Sequence, residues 1–313
     1  MTKKTFLRRL GEERYLQVMA LCGLGWMLVF NYAPMYGLLV AFKRNYRITE
    51  ALFSFDFLKT PWAASGGFQH FIAFFQDPEF PDIMLNTFSI SLLKLGIGFP
   101  LPIIFALFLN ELKFPKFKQA VQTISYLPHF LSWVVLGGIL TTWLSDTGFI
   151  NEILLSAGLI KEGVTYLGYP KYFWGIVVLS DVWKELGWSA IIYLAAVSGI
   201  DQEMYEAADI DGAGRFRKMW SITLPCIKST IAILFILNIG NLLNSNFDQI
   251  LVLWNTLNAE RSTVIDIYTY NVAMRSMRFS YATAIGLFKS VFAFLLLFMA
   301  NSVTKKMNNV SLF

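Results

Sequence analysis

Three ionisable residues lie close together in an otherwise apolar stretch, at Asp181, Lys184 and Glu185. Residues three or four apart share a helix face, so their side chains would point the same way. Two carboxylates one turn apart could act as an acid/base pair, but no nucleophile, metal-ligand set or histidine accompanies them. An internal salt-bridge network, with Lys94 of an earlier apolar stretch opposing a carboxylate, and contact with a polar substrate both remain open.

A second polar set recurs in steps of about three residues further along the chain. It comprises Asn238, Asn241, Ser245 and Asp248, and Asn244 and Asn246 join it. Amide side chains both donate and accept hydrogen bonds, which suits the hydroxyl groups of sugars. Interhelical hydrogen bonding is the alternative, and each such bond contributes only about 0.6 kcal/mol on average. Because the amides exceed what packing needs, we favour a pathway that binds a polar solute.

A third feature is the polar stretch EAADIDGAGRFRKMWSITLP, from Glu206 to Pro225, between two apolar segments. Asp201 can cap a short helix that places Tyr205 and Ala208 on one face, and Asp211-Gly212 is a turn signal. A second short helix would align Phe216, Met219 and Trp220, before Pro225 opens the next apolar segment. By itself this pattern also fits an amphipathic loop on the membrane surface.

The elements that carry these residues are membrane helices. Of the 313 residues, 56% are hydrophobic and only 15% are charged, and the apolar residues cluster in long blocks. A helix needs about 20 mostly apolar residues to cross the hydrocarbon layer of a bilayer. The sequence therefore predicts an all-α polytopic membrane protein with six spans. They lie at about 16–42, 83–110, 119–144, 172–199, 225–253 and 279–303.

Lysine and arginine are denser in the segments that an inside N-terminus would place in the cytoplasm. We therefore expect both termini and the 200–225 loop to be cytoplasmic, although Lys43, Arg44 and Arg47 directly after the first span argue the other way. The predicted organisation is a basic N-terminus (1–15), a first span (16–42), an extracellular aromatic-rich segment (43–82), a core of five spans (83–303) and a cytoplasmic tail (304–313).

The sequence lacks the residue patterns that metal binding, disulfide frameworks, nucleic-acid binding and phosphate binding require. The two cysteines and two histidines are scattered, so we expect neither a metal site nor a disulfide framework. We interpret His70 as solvent-facing or as a docking contact, and His129 as a packing residue at a helix break. No basic run interleaves with aromatics in a polar segment, so nucleic acid is not an expected partner. The fragment GLFKS at 286–290 lacks the first Gly and the Gly-Lys pair of a phosphate-binding loop.

The motifs EAA, DGA and ITLP resemble, at this spacing, the coupling motif of the permease subunits of binding-protein-dependent ABC importers. The matching residues are Glu206, Ala207, Ala208, Asp211, Gly212, Ala213, Ile222, Leu224 and Pro225. The resemblance implies the permease fold with cytoplasmic coupling helices, and a loop, including Phe216, that docks into a groove of an ATPase subunit. It implies a non-catalytic chain that binds no cofactor itself, with ATP and Mg²⁺ used by the partner ATPase.

FNYAPMYGLLVAFK (30–43), NTFSISLLKLGIGFPLPIIFALFLNEL (86–112) and VQTISYLPHFLSWVV (121–135) extend this resemblance to the carbohydrate-uptake branch. They are most similar to the polysaccharide-type permeases of Gram-positive bacteria. The implied partners are a second, homologous permease subunit, two ATPase subunits, an extracellular lipid-anchored solute-binding protein and an oligosaccharide substrate. The implied location is the plasma membrane of a bacterium, in contact with membrane lipid.

The main alternative is a secondary transporter of a polar solute that is driven by an ion gradient. It would use Asp181 and Lys184 as relay groups, but would leave the cytoplasmic loop without a purpose. The sequence shows no inverted repeat of the kind typical of many such carriers. The sugar itself stays open, and the lysines within the spans would tolerate an acidic fragment such as a uronate-containing one.

Overall fold

The computed structural model describes residues 14–44, 46–47 and 55–308, and these are mostly helical. Within them the only β-type pairing is an isolated antiparallel bridge between Lys43 and Trp62. The helices are α1 (Arg14–Phe42), α2 (Phe55–Lys59), α3 (Gln69–Phe75), α4 (Phe80–Asn110), α5 (Pro115–Phe130), α6 (Trp133–Trp143), α7 (Phe149–Ser156), α8 (Pro170–Ser198), α9 (Gln202–Ile210), α10 (Arg215–Cys226), α11 (Lys228–Gly240), α12 (Phe247–Leu253), α13 (Ala259–Ser262), α14 (Ile265–Met274) and α15 (Phe279–Asn308). The chain forms two compact units, a smaller one (residues 1–76 and 271–288) and a larger one (77–270 and 289–313).

Three helices of the described chain are long and apolar enough to cross a membrane unaided: α1, α4 and α15. Two bent helix pairs, α5–α6 and α10–α11, raise the number to as many as five. Helix α8 is also long enough, because its 29 residues extend about 44 Å at 1.5 Å per residue. It carries Asp181, Lys184 and Glu185 in its middle. A count of six spans therefore stays a prediction.

The third expected span, 119–144, is not a continuous helix. Helix α5 ends at Phe130, the chain is extended at Leu131 and Ser132, and α6 leaves at 98° to α5. Pro128 lies in the last, 3₁₀ turn of α5, and the hydroxyl of Ser132 caps α6 by accepting from the Val135 N–H at 3.3 Å. Because α6 has its own N-cap, it begins as a separate helix at this break.

The fifth expected span, 225–253, is also interrupted. Helix α10 meets α11 at a 63° bend, and α11 ends at Gly240. The chain then runs through a non-helical segment to Asn246, which has a left-handed backbone (φ 61°), before α12 begins. A left-handed residue cannot continue a right-handed helix, so α12 starts with a new rotational phase.

Helix α8 is the central element of the larger unit. Its buried residues join two clusters, one with Ile90 and Ile250 and one with Ile103 and Ala106. At Gly187 the backbone of α5 approaches so closely that a Cβ would lie 2.2 Å from the carbonyl oxygen of Ser125. Only glycine fits there.

Gly187→Ala should therefore destabilise the larger unit by about 1–3 kcal/mol, because the added methyl forces the backbone to move. Gly175→Ala is the matched control, since it lies on the same helix with nothing within 4 Å of its Cβ position. Thermal unfolding of the two detergent-solubilised variants measures the difference. Equal midpoints would show that α5 shifts freely at this contact.

The smaller unit is ordered by aromatic contacts and by one buried lysine. Phe57 is fully buried and contacts the ring of Tyr36. Lys43 is buried too, and its Nζ donates to the carbonyl oxygens of Leu58 (3.2 Å) and Thr60 (2.7 Å). The interpretation of His70 as solvent-facing is wrong: its side chain is buried. Its Nε2 donates to two backbone carbonyls, and its ring lies 6.3 Å from that of Tyr281 between centroids.

Candidate functional sites: a polar cavity and a helical loop

A cavity of about 580 Å³ opens among α4, α8, α11 and the segment between α11 and α12. Most of the candidate pathway residues line it. Its polar lining comprises Ser91, Lys94, Asp181, Glu185, Ser189, Asn238, Asn241, Asn244 and Asn246. Its volume lies in the range of sites for small organic ligands, and an amide-rich wall can exchange hydrogen bonds with hydroxyl groups.

Lys94 is the hub of the cavity's hydrogen bonds. Its Nζ donates to Asp181 Oδ1 at 3.0 Å and to Gln249 Oε1 at 2.7 Å. Gln249 is fully buried and donates in turn to the carbonyl oxygen of Val177 and to the hydroxyl of Ser180 on α8. The expected pairing of Lys94 with a carboxylate of the fourth span is therefore present. A π-helical turn begins at Lys94, a distortion that is frequent at functional sites.

The asparagines present amide groups to the cavity. Asn238 and Asn241 each donate one hydrogen bond to a carbonyl of their own helix, at 2.9 and 3.2 Å. Asn244 donates to Asn241 Oδ1 at 3.2 Å, and Asn246 donates to Asp181 Oδ1 at 3.3 Å. Each amide nitrogen has a second hydrogen, so donors remain available to a solute.

Glu185 links the cavity to the break between α5 and α6. Its two oxygens contact His129 Nδ1 at 2.7 Å and Lys184 Nζ at 3.0 Å. Lys184 also donates to the carbonyl oxygen of His129 at 2.7 Å, and the His129 ring stacks on Trp188 with centroids 4.3 Å apart. The expected role of His129 as a helix-break residue is incomplete, because its ring also contacts a carboxylate that lines the cavity.

Three predicted pathway residues do not line the cavity. Lys184 is buried against the α5–α6 break, the Ser245 side chain is fully buried, and Asp248 is exposed outside the lining. The prediction assumed one continuous helix, but the break before α12 resets the phase, so Gln249 points inward in place of Asp248. A non-helical Asn-Ser-Asn run was the only sequence signal that could have revealed this.

The 200–225 loop forms the helix–turn–helix that the sequence predicts. Asp201 caps α9 by accepting from the Glu203 N–H at 3.0 Å. Gly212 makes the turn with φ 73°, and Gly214 begins α10 in an extended conformation. Lys218 on α10 donates to Asp209 on α9 at 2.7 Å, which joins the two arms.

Part of the loop packs against the ends of α8 and α11, and other large side chains of the loop are exposed. Tyr205 packs against Val197 and Ile227, and its hydroxyl contacts Thr223 Oγ1 at 2.8 Å. Large apolar side chains are exposed in the loop: Ile210 (87%), Phe216 (73%), whose ring makes an edge contact with Phe108 of α4 at a centroid distance of 6.4 Å, and Trp220 (75%). The predicted shared face of Phe216, Met219 and Trp220 is wrong for Met219, which is buried because a π-helical turn begins there.

The remaining motif residues follow this division. Ala208 and Ala213 are half-buried and are joined by a hydrogen bond from the Ala213 N–H to the Ala208 carbonyl at 2.8 Å. Glu206, Ala207, Asp211 and Pro225 are exposed, and Leu224 packs against the core beside Ile103. The motif therefore exposes small and polar residues in the same loop as the exposed apolar side chains.

A family model described as "Binding-protein-dependent transport system inner membrane component" matches residues 98–309, which include helices α8 and α11 of the cavity and the whole loop, whereas Lys94 precedes the match. The chain belongs to this family. It is therefore a non-catalytic permease subunit of the ABC-importer type, and the interpretation of Asp181 and Glu185 as a catalytic acid/base pair is set aside.

Two curated relatives of the permease come from Bacillus subtilis (strain 168). "Protein LplB" is 40% identical over 99% of this chain and 94% of its own length. The "Polygalacturonan/rhamnogalacturonan transport system permease protein YteP" is also 40% identical, over 97% of this chain and 92% of its own length. The similarity extends over nearly the whole permease, including the segments outside the family model.

Solved structures resemble the permease as closely. A chain of a bacterial ABC transporter involved in the import of the acidic polysaccharide alginate has a TM-score of 0.85 and 35% identity over 97% of this chain and all of that one. A chain of the alginate ABC transporter in complex with an alginate pentasaccharide-bound periplasmic protein has a TM-score of 0.87 and 34% identity, over 99% of this chain and all of that one. The fold is therefore that of an ABC importer permease.

Proposed function

We propose that this permease forms half of the translocation pathway of an ATP-driven importer of oligosaccharides, acidic polysaccharide fragments among them. The cavity of asparagine amides beside α8 carries the proposal, because it offers donors and acceptors inside an apolar bundle. The names of the relatives support a carbohydrate substrate. The cavity itself suits hydroxyl groups more directly than carboxylates, because the ammonium group of Lys94 already donates hydrogen bonds to Asp181 and Gln249.

The proposed partners follow from what the permease lacks. A second, homologous permease subunit supplies the other half of the pathway, and two ATPase subunits hydrolyse ATP with Mg²⁺. An extracellular lipid-anchored solute-binding protein delivers the oligosaccharide, a partner supported by the binding protein in the related alginate complex. Both termini and the 200–225 loop lie in the cytoplasm in this arrangement, and the 43–82 segment lies outside.

The loop is the proposed connection to the ATPase. A ligand-driven change can bias a two-state bundle only if the two states make different contacts. The exposed apolar side chains, together with the exposed residues Glu206, Ala207 and Asp211, offer such a contact surface. The Lys218–Asp209 bond and the Tyr205–Thr223 contact hold the two arms as one rigid lever.

Truncation of this surface should weaken ATPase binding without unfolding the permease. We expect Phe216→Ala with Trp220→Ala to reduce co-purification of the ATPase at least about tenfold, since buried aromatic anchors at an interface typically contribute 2 kcal/mol or more each. Exposed Phe114, outside the loop, gives the matched control Phe114→Ala. Full ATPase recovery with the double variant would contradict the docking role.

Transport by the assembled complex in vesicles tests the function itself. We expect accumulation of a labelled oligosaccharide to need the binding protein and internal ATP, and to continue after ion gradients are collapsed. Uptake that stops with the ion gradient but continues without ATP would instead establish the secondary transporter. Comparison of neutral and uronate-containing oligosaccharides of equal length identifies the substrate class.

A further inference from the structure

A second cavity, of about 460 Å³, lies in the smaller unit between the end of α1 and the start of α15. Its distinctive content is arginine: Arg44, Arg47 and Arg278 all line it. Among the described residues no Asp or Glu joins the lining. We call it the arginine cavity.

The walls of the arginine cavity are held together by hydrogen bonds between distant parts of the chain. The N–H of Tyr46 donates to the hydroxyl of Ser280 at 2.9 Å. The Nε2 of buried His70 donates to the carbonyl oxygens of Lys43 (3.0 Å) and Arg44 (3.1 Å). Because three segments of the chain are bonded in this way, the cavity is a built feature of the unit.

The arginine charges are not neutralised within the part of the chain that the structure describes. Arg278 lies over the Tyr281 ring at 4.3 Å, and none of the three guanidinium groups has a carboxylate partner. Four lysines elsewhere in the described chain do have one: Lys94, Lys184, Lys218 and Lys289. Three cations around one cavity repel one another, and an anion between them would relieve that repulsion.

The place of the cavity indicates what that anion is. Arg44 and Arg47 lie a few residues after the end of α1, Arg278 lies directly before α15, and both helices are candidate membrane spans. The ends of spans lie where hydrocarbon gives way to lipid headgroups, the depth that tyrosine and other amphipathic rings favour. Tyr46 and Tyr281 line the cavity at this level. Basic pockets between transmembrane helices bind anionic lipid headgroups in other proteins, there on the cytoplasmic or matrix side.

We propose that the arginine cavity binds the phosphodiester headgroup of an anionic phospholipid. The planar fork of arginine matches phosphate oxygens in pairs, and the N-terminus of α15 adds positive potential beside it. The site also accounts for the cations that follow the first span. Lys43 donates to backbone carbonyls, and Arg44 and Arg47 bind the lipid headgroup, so these cations do not set the orientation of the chain in the membrane.

Lipid retention by the purified permease complex tests this proposal, with phosphatidylglycerol as the probe and phosphatidylcholine, which carries the same phosphate without net charge, as its comparison. Native mass spectrometry should show phosphatidylglycerol retained in preference. Arg44→Gln with Arg278→Gln should weaken retention about tenfold or more. Arg278→Lys, which keeps the charge and loses the fork, should fall between. Lys161→Gln removes an exposed cation outside the cavity and should have no effect.

Each contrary result would overturn the proposal in a recognisable way. Equal retention by the double variant, with an unchanged unfolding midpoint, would place the lipid elsewhere. Displacement of phosphatidylglycerol by millimolar inorganic phosphate or by a uronate oligosaccharide would identify a site for a free anion. Loss of solute-binding-protein docking with lipid retention unchanged would identify a protein interface. Neither ATP nor transport enters these measurements, so they stand independently of the proposed function.

Discussion

Replacing Gly212 with valine should reduce ATP-coupled uptake by the assembled importer at least about tenfold while the permease still folds and inserts. Gly212 turns the loop with φ 73° and has open space around its Cβ position. A left-handed backbone costs an ordinary L-residue roughly 1–2 kcal/mol, and a β-branched residue resists it most. Coupling free energies between two sites are typically 1–3 kcal/mol. The strain of valine at this turn is of similar size, so it can cancel much of the coupling between the ATPase and the permease.

The matched controls for this variant lie in the same turn. Gly214→Ser keeps an extended N-cap residue (φ −68°, ψ 164°) and replaces glycine by a favoured capping side chain, so uptake should be unchanged. Gly212→Asn should retain most uptake, because asparagine tolerates the left-handed region. Uptake and ATP hydrolysis are measured together. Normal coupling in Gly212→Val, beside normal Gly214→Ser, would show that the turn geometry does not transmit the motion.

The sequence predicted the helices that do not bend. The ranges 16–42, 83–110, 172–199 and 279–303 lie within a few residues of α1, α4, α8 and α15. Hydropathy works there because each segment buries its backbone polar groups within one helix. The helix–turn–helix of the 200–225 loop was equally predictable, because its cap and its turn depend on local residue types. Asp201 and Gly212 have the geometry that their residue types favour.

The broken helices were beyond sequence reasoning because their breaks depend on tertiary contacts. Proline alone does not specify a 98° corner, and Pro128 also needed the Ser132 cap and the Glu185–His129 contact from another helix. The left-handed Asn246 is held by Asp181 of α8, more than sixty residues away. Such partners are visible only after folding, which is why the predicted stripe included Asp248 and omitted Gln249.

Removing one carboxylate from the cavity has the largest expected effect on stability. Asp181→Asn should destabilise the permease by about 3–5 kcal/mol, because it leaves Lys94 charged and largely buried with only neutral acceptors, Gln249 Oε1 and the Ser245 carbonyl. Asp248→Asn is the same substitution on an exposed residue outside the cavity and should change stability by less than about 0.5 kcal/mol. Thermal unfolding in detergent compares the two.

A second substitution separates structure from transport at this site. Lys94→Met together with Asp181→Asn removes the orphaned charge, and replacing a buried ion pair by groups of similar volume is often neutral for stability. We expect the double variant to recover its unfolding midpoint but to transport poorly, because the cavity has lost two charged groups that face the solute. Recovery of both stability and transport would instead mean that Lys94 and Asp181 only hold α4 and α8 together, and that the asparagines bind the sugar without them.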